Sequence, residues 1–325
     1  MRDTFIDISG MVGMVLAALL ALLLLAAFAL WARYRLGIAS DRRRWWKIFD
    51  DLQPQEIGAA RKIRLAPLVE WRTAQPKLAS VAGLSYLLEI DGAKVLFDLG
   101  GGKKGSAASP LRRNLDTLGV EPAQFTAGLS ALVISHRHRE HGGGFRAGRR
   151  NRIDAELDFS KTPCFSVEDR GADQPRRVLE GALVSARLPG RMFTLGRIEE
   201  QMLVINLEGK GLVFVVADAH PEVMPMLEYA ERITGIKPYA YIGGLHALMN
   251  QEMPWPWRWL LTRRPPWRRS EPEEVGFLAV MMRDAGVKKV FASAHDSDDF
   301  SLGILTTVFG DNFRILAAGD LLDID

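Results

Sequence analysis

Three of the chain's six histidines fall in one short stretch, His136-Arg137-His138-Arg139-Glu140-His141; the others are His220, His246 and His295. Neutral imidazole binds Zn²⁺, Fe or Mn, and carboxylates complete or bridge such sites. In an extended segment, side chains at i and i+2 point to the same side, as His136 and His138 then do. His141 comes one turn later, and Gly142, Gly143 and Gly144 let the backbone swing around a metal. A lone histidine is usually a satisfied core or surface residue; three so close together are not read that way. Cys164 is the one cysteine, which excludes an intrachain disulfide and argues against a Cys-based zinc site. Any metal is therefore held by His and carboxylates.

Positioning these residues is a task for strand ends. Each histidine lies in a turn of small residues after an apolar run: Ala131–Ile134 before His136, Leu212–Val216 before Ala217-Asp218-Ala219-His220, Ala240–Ile242 before Gly243-Gly244-Leu245-His246, and Lys289–Ala292 before Ser293-Ala294-His295. Strand ends on one edge of a sheet converge in space, so residues distant in sequence can meet there. Further strands are expected at Leu84–Ile90 and Lys94–Phe97, joined by an Asp91-Gly92 turn that signals a hairpin. Another is expected at Met202–Leu207. Helices are expected over Pro110–Gly119, with Ser109 as N-cap, over Pro221–Ile233 and over Glu274–Ala285. A hairpin-rich first half followed by alternating strands and helices implies a layered α/β domain. Gly100-Gly101-Gly102-Lys103-Lys104-Gly105 matches no P-loop and reads as a surface loop able to meet phosphate.

The chain has 325 residues, 42 Lys and Arg against 39 Asp and Glu. That balance gives no reason to expect a nucleic-acid partner. Met11 to Trp31 carries no charge and is long enough to cross the hydrocarbon core as a helix. Its basic flank follows it, at Arg33, Arg35, Arg42, Arg43, Arg44 and Lys47, which places that side in the cytoplasm of a single-pass inner-membrane protein. Ala27, Ala29 and Ala32 leave open a cleaved signal peptide, with a periplasmic or secreted domain. The expected organisation is a tail (1–10), an anchor (11–31), an irregular basic juxtamembrane linker (32–64) and a domain (65–325). A Trp/Arg/Pro-rich insertion (251–270) has the composition of a membrane-docking segment from Trp255 to Arg269, or of a loop packing its tryptophans on the domain.

The histidine run resembles the metallo-β-lactamase signature His-x-His-x-Asp-His, with Glu140 in the place of Asp. Asp98, in Phe97-Asp98-Leu99-Gly100, matches the upstream strand-end Asp of that superfamily. Within it the chain is similar to the dihydropterin-ribofuranosylaminobenzene phosphate synthase-like branch, through Gly83-Leu84-Ser85, Asp218-Ala219-His220, Gly243-Gly244-Leu245-His246 and Ser293-Ala294-His295-Asp296-Ser297. The likeness spans about Leu65 to the C-terminus. It departs at Glu140, at Asp218 where the branch has Cys, and at Val81-Ala82 where the branch has Glu-His.

The resemblance implies a four-layer αββα sandwich, preceded here by the one transmembrane helix, and a site for one or two metals. Zn²⁺ is expected, with Fe or Mn as alternatives. His136 and His138 would hold the first metal, Glu140 and His141 the second. Asp218 would bridge them or bind one, and His220 and His295 would complete the set. Asp98 would orient a metal-bound histidine, and His246 would touch substrate or metal. For the chemical step the candidates are Asp98, Asp218 and His246. The expected activity is hydrolysis of a small-molecule phosphoester or related ester by metal-activated water. The alternatives are a C–N bond-forming transferase on a pterin-like substrate and a degenerate, non-enzymatic metal-binding module. Oligomeric state is not legible.

Overall fold

The structure is a computed structural model that describes residues 8–101, 108–143, 157–247, 262, 264–265 and 271–325. Residues 102–105 of the glycine-rich loop, Gly144 and most of the 251–270 insertion lie outside the described residues. Helix α1 (Ile8–Asp50) comes first. Strands β1 (Ile63–Val69), β2 (Ser85–Ile90), β3 (Ala93–Phe97), β4 (Ala131–Ile134) and β5 (Cys164–Ser166) follow, with α2 (Pro110–Thr117) and α3 (Pro122–Ala127) between β3 and β4 and the short α4 (Arg139–Gly142) after β4. Then come β6 (Arg176–Leu179), β7 (Ala182–Val184), β8 (Leu188–Met192), β9 (Gly196–Glu200), β10 (Leu203–Leu207), β11 (Gly211–Val216), α5 (Val223–Thr234) and β12 (Pro238–Gly243). The chain closes with α6 (Pro272–Asp284), β13 (Lys289–Ala292), α7 (Asp299–Phe309), β14 (Phe313–Ile315) and β15 (Leu322–Ile324).

Two sheets carry the domain, one in the order β15-β1-β2-β3-β4-β5 and one in the order β14-β13-β12-β11-β10-β7-β6; β8 and β9 form a separate hairpin. The period of two decides which side chain goes where. In β10 and β11, Leu203, Ile205, Val213 and Val215 point between the sheets, while Val204, Phe214 and Val216 point outward to α5, α6 and α7. In the other sheet Val95 and Phe97 face the sheet partner, whereas Leu96 and Leu132 meet Leu111 and Leu115 of α2 and Phe125 of α3. The result is the expected αββα sandwich with three apolar interfaces. Strands buried on both faces read as continuous apolar runs, as β11 does. The Asp91-Gly92 turn has positive φ at both residues (48° and 88°), as a two-residue hairpin of this hand requires. Ser109 caps α2 by accepting the Arg112 N–H.

The stretch expected to be an irregular linker from residue 32 is helical through Asp50, and β1 begins at Ile63, inside that stretch. The reason is a second pattern beneath the basic composition. Trp45, Ile48, Phe49 and Leu52 recur on one side of the helix and its exit and pack on the outer core layer. No proline interrupts before Pro54. Asp41 is buried and ion-paired to Arg191 (2.5 Å) and Arg197 (2.7 Å), and the Trp45 indole N–H donates to the Pro189 carbonyl (3.1 Å). A side chain at Gly37 would run into the Arg191 guanidinium, so glycine lets the β8–β9 hairpin approach the helix. At 1.5 Å per residue the 43-residue helix is about 64 Å long. Its N-terminal part is long and apolar enough to cross a membrane, and its apolar side chains there are exposed.

Candidate metal centre

All four histidine-bearing turns, and the turn carrying Asp98, sit at the carboxyl ends of strands. β3 and β4 run parallel in one sheet, β11, β12 and β13 in the other. Four non-glycine residues on these strand ends or just beyond them have positive φ: Asp98 (59°), Ala219 (54°), Glu222 (74°) and His246 (48°). Such conformations cost of order 1–3 kcal/mol each and persist where surrounding structure holds them.

Asp218 is the hub. Its Oδ2 lies 3.3 Å from His136 Nε2, 3.7 Å from His220 Nε2 and 3.9 Å from His138 Nδ1. Its Oδ1 lies 2.6 Å from His295 Nε2 and 3.0 Å from His141 Nε2. Two donor sets result, His136–His138–His220–Asp218 and His141–His295–Asp218, sharing the one carboxylate. Glu140 is in neither set. It was expected on the second metal with His141, but its Oε1 lies 3.4 Å from His138 Nδ1 and its side chain is 40% exposed. Near the start of α4 its longer side chain runs along His138. Asp98, Asp218, His136, His141 and His220 are buried, and His138 is partly open.

What fixes the ring orientations is a layer of acids and serines behind the histidines. Asp98 accepts the Ser135 N–H (2.7 Å) and hydroxyl (2.6 Å) and faces His141 Nδ1 (3.0 Å). Ser135 Oγ in turn lies 2.9 Å from His136 Nδ1. Glu200, fully buried, accepts the backbone N–H groups of Asp218, Ala219 and His220 and lies 3.0 Å from His220 Nδ1. Glu70 accepts the Ser293 hydroxyl (2.7 Å) and the Tyr86 hydroxyl (2.6 Å), and Ser293 Oγ lies 2.6 Å from His295 Nδ1. A serine that donates its one proton to a carboxylate accepts from the imidazole, so all four Nδ1 atoms are N–H donors. All four Nε2 lone pairs then face Asp218. His136 Nε2 and His141 Nε2 are buried without a hydrogen bond, although carboxylate oxygens lie 3.3 and 3.0 Å away. Nitrogens so disposed are compatible with holding a cation.

Burial opposes ionisation of Asp218, but His141, His295 and His136 hold its carboxyl well below the usual range. Burial likewise works against a charged His295, yet Asp218 and Asp296 raise it to about 9; His141 is raised too, chiefly by Asp218 and then Asp98. His136 falls to about 4, from burial and then the neighbouring His141. Burial opposes the charge of Glu200 as well, but the His220 hydrogen bond dominates and takes it to about 2.

His246 stands apart from both donor sets. Its N–H donates to Asp296 Oδ2 (2.7 Å), and its ring centroid lies 5.4 Å from that of His220. With His220 it lines a cavity of about 1190 Å³. Gly190 of β8 comes so close to the His220 backbone that any side chain there would clash, which brings the β8–β9 hairpin against the site. Glu70, Glu200, Ser135 and Ser293 were not singled out from the sequence. Ser135 and Ser293 lie within two residues of a histidine, a signal that could have found them; for Glu70 and Glu200 there was none.

The sandwich and its strand-edge histidine cluster define a metallo-β-lactamase-fold protein. Among solved structures the chain is similar to a metal-dependent hydrolase of the β-lactamase superfamily, with 17% identity and a TM-score of 0.54 over 81% of this chain and 99% of that one. It is also similar to the metallo-β-lactamase fold protein YhfI from Bacillus subtilis, with 14% identity and a TM-score of 0.48 over 81% and 100%. In sequence the chain is 26% identical, over 247 residues, to the 7,8-dihydropterin-6-methyl-4-(beta-D-ribofuranosyl)-aminobenzene-5'-phosphate synthase of Methanocaldococcus jannaschii, covering 59% of this chain and 80% of that protein. That is the branch whose motifs the sequence resembles. No protein-family profile matches the chain.

Proposed function

We propose that this chain is a membrane-anchored, metal-dependent hydrolase acting on a small-molecule phosphoester or related ester. The observation that supports it is the set of four histidines with Nδ1 tied and Nε2 turned to one buried carboxylate. His136, His138, His220 and Asp218 would hold one metal; His141, His295 and Asp218 would hold another. Zn²⁺ suits this donor set, and Fe or Mn would fit it as well. When bound, the metal lowers the pKa of water to about 7 and acts as a Lewis acid on the ester. In the net reaction the water oxygen joins the ester centre, the bond to the leaving alcohol breaks, and that alcohol takes up a proton. Asp98, Glu200 and the serine-backed Glu70 keep the imidazoles in one tautomer. His246, on the cavity wall, would touch the substrate.

The chain is read as anchored by the first part of α1, with the basic Arg42–Arg44 flank and the domain in the cytoplasm. Protease added to spheroplasts should then spare the domain, and digestion from outside would reverse the orientation. A second reading is a C–N bond-forming synthase on a pterin-like substrate, favoured by the similarity to the archaeal synthase. Product analysis with bis-(p-nitrophenyl) phosphate and with pterin substrates separates the two. Purified protein should carry at least one transition metal per chain, and His138→Ala should lose most of it. Metal content indifferent to that substitution would refute the site.

A further inference from the structure

The cavity beside His220 and His246 is walled by α1. Tyr34, Ile38, Trp45 and Phe49 line it, on one stripe of the helix. Met224 of α5 and Leu278 of α6 form the apolar wall opposite. Trp46 and Phe277 line it from its open side and are 63% and 67% exposed. Large apolar side chains left in contiguous exposure mark a surface that meets another apolar body.

Position names that body. The uncharged run ends at Trp31, three residues before Tyr34, or about 5 Å along the helix axis. Helix α1 runs unbroken from Ile8 to Asp50, so the cavity wall continues directly from the bilayer-length segment. An alkyl chain leaving a bilayer beside α1 would enter the cavity with little exposure to water. The cavity's volume, about 1190 Å³, exceeds the range of about 300–1,000 Å³ typical of small-ligand pockets. Among its arginines, Arg191 is paired with Asp41, Arg232 with Glu228 and Arg264 with Glu274. Arg42, exposed and among the lining residues, has no ion pair among the described residues.

We infer that the substrate is an amphiphile, a long-chain alkyl or acyl phosphoester, whose chain lies between α1, α5 and α6 while its head reaches His220 and His246. The head's chemistry rests on the hydrolase reading above; the place of the chain does not. The test uses the full chain in phosphatidylcholine nanodiscs, with empty nanodiscs as blank. Binding of dodecylphosphonate is compared with that of methylphosphonate. Each methylene withdrawn from water strengthens binding roughly fourfold, so burying only four predicts an advantage of about 200-fold for the dodecyl ligand. Ile38→Asp and Leu278→Asp, on two different helices, should each cut that advantage by at least about tenfold, because a carboxylate in the groove must be desolvated. Equal affinities, or an advantage unaltered in both variants, would overturn the inference. A parallel arm measures kcat/KM for methyl and dodecyl p-nitrophenyl phosphodiesters with the zinc-loaded protein. Equal hydrolysis of both leaves the hydrolase reading standing and removes the amphiphile. Chain-dependent binding with no hydrolysis of either removes the hydrolase and leaves the cavity assigned.

Discussion

Glu200 is the residue on which the first donor set turns, and Glu200→Gln tests why. Its Oε1 accepts the N–H groups of Asp218 (3.0 Å) and Ala219 (3.1 Å); its Oε2 accepts the His220 N–H (2.8 Å) and faces His220 Nδ1 (3.0 Å). Glutamine keeps the shape but supplies one acceptor oxygen and one NH₂. Whichever way the amide turns, two donors meet a donor in a fully buried place. Hydrogen bonds to a charged group are worth about 1.5–3 kcal/mol each, and an unsatisfied buried donor costs about 1–3 kcal/mol. Turned with NH₂ toward His220, the amide also drives the ring into its other tautomer, with the proton on Nε2, where the lone pair faces Asp218. The expected cost is about 2–5 kcal/mol, divided between folding and metal binding, with metal affinity down about 10–100-fold. Thermal unfolding of the metal-free protein reads the first part, and competition against a chelator reads the second. In a His220→Ala background the same substitution should cost less metal affinity than it does alone, because part of its effect passes through the His220 ring and part through the backbone of Asp218. Metal affinity within about twofold of the unaltered protein would refute the account.

Glu140→Asp should raise metal stoichiometry toward two per chain. The first donor set has four ligands and the second only three, with Glu140 turned along His138; two tightly bound metals already present in the unaltered protein, by elemental analysis, would contradict this. Asp41→Ala should loosen α1 from the β8–β9 hairpin and leave Arg191 and Arg197 without their shared partner. Because Arg197 is about one-third exposed, the cost should be about 1–3 kcal/mol, below the 3–5 of a fully buried pair; hydrogen exchange over residues 32–50 should rise, and unchanged protection would count against the contact. The pH dependence has a definite sign. His295 sits at about 9 in the metal-free cluster, above its unfolded value of about 6.5. Its pairing with Asp218 therefore stabilises the metal-free protein fully below pH 6.5 and is lost as pH rises through 9. Metal must displace that proton, so metal affinity should climb with pH up to about 9; a flat affinity between pH 6 and 9 would remove His295 from the ligands.

More of the site than of its support could be read from the order of residues alone. The histidines that folding gathers were legible because their signal is local: His136, His138 and His141 share one turn, and the distant histidines each follow an apolar run of strand length. A layered α/β domain was legible through the same runs and the Asp91-Gly92 turn, and the resemblance carried by the histidine run implied the sandwich. Folding alone settled which rings gather at which oxygen of Asp218, since the carboxylate has two and sequence cannot say which ring faces which. It also decided that Glu140 points along His138, which depends on its place in a four-residue helix. Glu70 and Glu200 lay in stretches with no chemical signature, and they matter only because folding buries them behind His295 and His220. The basic composition after Trp31 hid an amphipathic helix. Its apolar stripe acquires meaning only when β8, α5 and α6 are there to pack against, because burial depends on the partner surface as much as on the residue.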